Sequence, residues 1–129
     1  LTDQPKQAVH AYQQAIELYQ GQYLPNRIYD DWCADERERI QVLVLGAMTA
    51  LARLQLNLLP QETIRLAALA LKLDNTWEEA YRLQIQAYIK EGNRPLAVKT
   101  YRKCEAVLKR EFEMEPLPET KREFEKIKK

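Results

Sequence analysis

The feature that most constrains this chain is a register of 34 residues at which its middle repeats itself. Shifting by that interval aligns Ala47 with Tyr81, Leu54 with Tyr88, Leu58 with Gly92, Ala70 with Cys104 and Leu73 with Val107. A unit of this size holds two helices and a turn. It cannot bury its apolar face alone and must stack on a neighbour.

The better-formed copy shows why the residue types fall where they do. Gly92 allows a tight turn, since glycine adopts backbone conformations that other residues resist. Ala97 and Cys104 are small, so the two helices of a hairpin can approach closely. Tyr81, Tyr88 and Tyr101 fill the gaps between layers, with Ile85 beside them. The period is that of the tetratricopeptide repeat. The first copy is degenerate, with Leu58 in place of glycine.

Six helical segments follow from apolar spacing and breakers. The first spans about Gln4–Tyr19, with Ala8, Tyr12, Ala15, Ile16 and Tyr19 on one face. Gly21 ends it, and a loop containing Pro25 runs to Tyr29. The second starts at Asp30 or Asp31, acids that suit the positive end of a helix dipole, and runs to Asn57. It is apolar nearly all round from Ile40 to Leu51, as in a helix buried on several sides. The others are Pro60–Leu73, Trp77–Glu91, Pro95–Phe112 and Glu119–Lys128, the last set off by Pro116 and Pro118. No segment alternates like a half-buried strand. The fold expected is all-α, a tetratricopeptide-like stack of antiparallel helical hairpins, about six helices in a single domain over residues 1–129.

Ala8-x-x-x-Tyr12-x-x-Ala15 parallels Ala97-x-x-x-Tyr101-x-x-Cys104, which is only the second half of a repeat. The chain also opens on Leu1 rather than Met. It reads as a fragment of a longer protein.

Composition narrows the chemistry. There is no serine and one histidine, His10, which excludes a Ser–His catalytic pair. The two cysteines, Cys33 and Cys104, belong to no Cys-x-x-Cys pair, and one histidine cannot complete a zinc site. Unpaired thiols with no targeting segment point to a reducing cytoplasm. Cys104 reads as a packed thiol. Cys33 sits where a helix dipole lowers a thiol pKa, but no second group supports a redox role. The three glycines are scattered, so no phosphate-cradling loop exists. Asp30, Asp31, Asp35 and Glu36 cluster, and the reading favoured is helix capping rather than acid–base work or cation binding. The longest uncharged run, Ile40–Ala52, has 13 residues, short of the roughly 20 that span a bilayer. No catalytic residue, metal or cofactor is expected.

Net charge is +1, which gives no general pull toward nucleic acid or anionic membrane. The segment Pro95–Phe112 carries Lys99, Arg102, Lys103, Lys109 and Arg110, with Arg94 just before it. Residues 61–129 nevertheless hold 15 basic and 12 acidic residues. The stripe therefore reads first as a solvated face. Any DNA contact through Lys99, Arg102, Lys103 and Lys109 would be weak and salt-sensitive. Specific DNA binding by this segment alone is not expected.

A more specific pattern lies across the chain. Tyr19-x-Gly21-x-x-Leu24-Pro25 precedes Tyr29-x-Asp31-Trp32 and Glu36-Arg37-x-Arg39. Then come Glu79-Ala80-Tyr81-Arg82, Gly92-x-Arg94-x-x-Ala97-x-x-x-Tyr101 and Glu115-Pro116-x-Pro118-Glu119-Thr120. In order and spacing this resembles the bacterial transcriptional activator domain, the tetratricopeptide-like unit of antibiotic-regulatory-protein activators and of large maltose-activator-like regulators. The resemblance implies a winged-helix DNA-binding domain elsewhere in the polypeptide. Leu58 and Leu59 depart from it, standing where the family often has glycine and a polar residue. Gly21, Leu24, Pro25, Tyr29, Asp31, Trp32, Glu36 and Arg37 carry the signature and read mainly as structural, with Trp32 expected to be largely buried.

The function expected is a non-catalytic interaction module of a transcriptional regulator, joining a DNA-binding or ATP-binding domain to a protein surface. The partner would be a second protomer, another domain of the regulator or the transcription machinery. The rivals are a small-effector sensor and a general adaptor unrelated to transcription. The first helix of each hairpin would line a concave face. That face would include Leu45, Met48, Ala52 and Gln55, then Glu79, Arg82, Gln86, Ile89 and Lys90. The competing reading of Leu45, Met48 and Ala52 is that the first helix covers them.

Overall fold

Proline, glycine and asparagine punctuate the chain where its helices begin and end. The structure, a computed structural model, describes residues 34–128. These form α1 (Ala34–Gln55), α2 (Pro60–Leu73), α3 (Glu78–Lys90), α4 (Arg94–Phe112) and α5 (Pro118–Lys128), with no strand among the described residues. The expected helix Gln4–Tyr19 lies outside them.

Several boundaries have a local cause. Pro60 stands in the first turn of α2, where its missing N–H costs no hydrogen bond. Before α3, the Asp74 carboxylate accepts the Thr76 N–H at 2.9 Å and tightens the turn. Gly92 follows α3 at φ 73°, a left-handed conformation that favours glycine. Asn93 then caps α4, its side chain accepting the Leu96 N–H at 3.2 Å. The turn between α1 and α2 lacks this pair: Leu58 replaces the glycine, and Leu59 is an N-cap that makes no side-chain hydrogen bond.

The helices pack in sequence, α1 on α2, α2 on α3, α3 on α4. In addition α1 touches α3, and α5 touches both α3 and α4. Helices α1, α3 and α5 thus form one row, and α2 and α4 the other. This is the stacked-hairpin architecture the repeat register implies.

Small residues allow the close approach. Ala52, Ala67, Ala70, Ala80, Ala87, Ala97 and Cys104 are all 0% exposed. Leu45, Met48 and Leu51 of α1 pack with Leu66 of α2 and Leu83 of α3. A second cluster joins Ile85, Ala97 and Tyr101 to Phe124 and Ile127 of α5. There the Tyr101 and Phe124 rings stack at 4.1 Å and 9°. Two polar side chains of the core donate to carbonyls outside their own helix. Thr63 donates to the Ala52 carbonyl at 2.7 Å, and the Tyr81 hydroxyl donates to that of Asn75 at 2.7 Å.

Leu45 and Met48 correct an expectation. Both are 2% exposed within the core rather than on an open face, whereas Val42 and Leu43 turn outward at 50% and 63%. A helix apolar nearly all round does not reveal which arc its neighbours will cover. Ala52 is buried with them.

Candidate partner-docking face

Along the row α1, α3, α5, polar side chains of α3 are tied to the helices on either side. Glu79, Arg82, Gln86 and Lys90 recur every three or four residues and therefore share a helix face. Each of the first three is tied to a neighbouring helix. Glu79 pairs with Arg53 of α1. Arg82 lies 3.8 Å from the Glu119 carboxylate of α5 and 4.0 Å from that of Glu78. It also donates to the Thr120 hydroxyl at 3.3 Å. Gln86 donates to Glu123 at 3.0 Å, and Lys126 approaches the same carboxylate at 3.1 Å. Lys90 is exposed, and Gln55, at the end of α1, is half-buried.

At the lower end of this face, Leu56, Gln86, Ile89, Lys90, Glu123 and Lys126 line a shallow depression. Two apolar side chains there stand among groups of both charge signs. That mixture suits a helix or extended peptide, which needs an apolar anchor and a polar rim.

The contribution of α5 is absent from the sequence reading. Glu119, Thr120, Glu123 and Lys126 line the face because Phe124 and Ile127 anchor their helix on α3 and α4. The available signal was Thr120, Phe124 and Ile127 at helical spacing after two prolines. The segments Glu79–Arg82 and Glu115–Thr120, read separately in the sequence, meet here. Their joint lies at Glu78, which accepts the Leu117 N–H at 2.7 Å and the Thr120 hydroxyl.

Burial governs the one described thiol. Cys104 is 0% exposed, and burial pushes its thiol up to about 12, far from a nucleophile's range. Burial likewise raises the Tyr81 phenol to about 12. Among the described residues no group of His, Cys, Asp and Glu gathers as a metal site, and no helix is long and apolar enough to cross a membrane. Asp35 and Glu36 are exposed and Arg37 is half-buried. Gly21, Leu24, Pro25, Tyr29, Asp31 and Trp32 lie outside the described residues, as do His10, Asp30 and Cys33.

Two interleaved helix rows around a small-residue core define a helical-repeat protein of the tetratricopeptide class. The family model of the bacterial transcriptional activator domain matches residues 1–128, and the chain belongs to that family. It is thus a module of bacterial transcriptional regulators. No curated protein and no solved structure matches it.

Proposed function

We propose that this domain is a non-catalytic docking module. Its α1–α3–α5 face receives a protein segment and so couples a DNA-binding or ATP-binding domain of the regulator to a partner surface. The observation that carries this reading is the row Glu79, Arg82, Gln86 and Lys90, bordered by α5 and ending at Leu56 and Ile89. Helical-repeat stacks use such extended faces for binding.

The test is transcription from a promoter controlled by a regulator carrying this domain. Lys90 is exposed, so Lys90→Glu should leave the melting temperature unchanged. It should reduce activation while the regulator still occupies its promoter. Full activation by the folded variant would contradict a docking role for this end of the face.

A further inference from the structure

The opposite row carries a charge pattern that the docking face does not use. Along α4, Lys99, Arg102, Lys103, Ala106, Lys109 and Arg110 are all exposed. At about 100° per residue, the five cations fall within roughly 120° of arc, with Ala106 at its centre. They extend about 16 Å along the helix at about 1.5 Å per residue. Arg102 is compensated by Glu105 at 3.1 Å and Arg110 by Glu111 at 3.3 Å. Lys99, Lys103 and Lys109 form no ion pair among the described residues. Glu113 stands at the far end of the arc, one turn beyond Lys109.

We infer that this stripe of α4 is a sequence-independent contact for the DNA phosphate backbone. Two observations favour phosphate over an acidic protein surface. Between Lys99 and Arg110 the arc itself carries cations around one small residue and no aromatic or large aliphatic side chain, while Met114 and the carboxylates of Glu105, Glu113 and Glu115 border it towards the helix C-terminus. A protein interface needs such an anchor, whereas phosphate positioning needs only charge. Finally, the domain belongs to regulators that act at DNA. The stripe lies on the α2–α4 row and reaches α5 through Arg102, whose guanidinium lies 4.9 Å over the Phe124 ring, whereas among the described residues Lys99, Lys103 and Lys109 form no ion pair with the α1–α3–α5 face. Backbone contact and partner docking are therefore independent, and either can fail without the other.

The contact should be weak and strongly salt-dependent. Three lysines that each neutralise one phosphate give a slope of log K against log salt of about −3. The experiment is fluorescence anisotropy of a labelled duplex of arbitrary sequence titrated with this chain across a salt series. The expected result is binding at low salt with a slope of about −3 or steeper, unchanged when the duplex sequence is scrambled. The triple variant Lys99→Gln/Lys103→Gln/Lys109→Gln should bind at least about tenfold more weakly at low salt and with a flatter slope. The variant Arg39→Gln/Lys72→Gln/Arg122→Gln removes the same charge from other exposed positions and should bind like the parent. Absence of low-salt binding, or equal losses in the two triple variants, would overturn the inference. Polyglutamate binding as tightly as the duplex would also overturn it, in favour of an acidic polypeptide.

Discussion

Glu78 and Thr120 stand 42 residues apart in sequence and share a hydrogen bond. Thr120 is 0% exposed, and the same carboxylate accepts the Leu117 N–H at 2.7 Å. A side chain from the first turn of α3 thus satisfies the N-terminus of α5, where backbone donors lack partners within the helix. Removing it leaves a buried hydroxyl and a backbone N–H without this acceptor. Glu78→Ala should cost about 1–3 kcal/mol. It should also speed amide hydrogen exchange in α5 more than in α1 and α2. Glu78→Gln keeps an acceptor oxygen and should retain most of the protection. Equal exchange in the parent and Glu78→Ala would show that Phe124 and Ile127 alone hold α5.

The two inter-helix turns offer a second comparison. Gly92–Asn93 supplies a left-handed residue and an N-cap, while Leu58–Leu59 at the corresponding positions supplies neither. Leu59 is 57% exposed, and Glu62 lies three residues on. Leu59→Asp would complete a cap in the capping-box pattern and should stabilise the domain by about 0.5–1 kcal/mol in denaturant unfolding. Glu113 ends α4 at φ 53°, strained for a residue with a side chain, so Glu113→Gly should also stabilise, by up to about 1 kcal/mol. A loss of stability in either variant would contradict this account of the turns.

Pro60, Gly92, Asn93 and Pro118 made the helix boundaries legible in the sequence, because each acts on backbone within a few residues of itself. The 34-residue register made the hairpins legible for a similar reason: Ala70 and Cys104 both need to be small. Pairings between distant helices were not legible. Nothing near Arg53 names Glu79, and nothing near Gln86 names Glu123. The repeat alignment put Leu45 and Met48 on the concave face, with cover by the first helix as the competing reading, and only packing decides which arc of an all-round apolar helix is covered.

That correction is measurable. Leu45 lies in the core, so Leu45→Ala should destabilise by about 2–5 kcal/mol. Lys90 is exposed, and Lys90→Ala should stay within about 0.5 kcal/mol of the parent. Denaturant midpoints at equal m-values give both numbers. A mild Leu45→Ala would return that residue to the surface.

Burial of Tyr81 and Cys104 gives the fold an alkaline limit. Their ionisation is pushed from 10.0 and 9.0 respectively to about 12 in the folded chain. Above pH 9 the unfolded chain therefore loses protons that the folded chain keeps. Stability falls from about pH 9 to about 12, with no contribution from these two groups below that window. Cys104→Ala should make the fall shallower just above pH 9. An identical slope in parent and variant would mean that the thiol ionises while the chain stays folded.

The central claim is that the α1–α3–α5 face takes up a protein partner. It is tested most directly by site-specific photo-cross-linking in an intact regulator carrying this domain. A photoreactive residue is placed in turn at Gln86, Lys90 and, on the opposite row, Lys72. The account predicts cross-links to a protein segment from Gln86 and Lys90 during activation, and none from Lys72. Cross-links from Lys72 alone, with Gln86 and Lys90 silent in an active regulator, would contradict it.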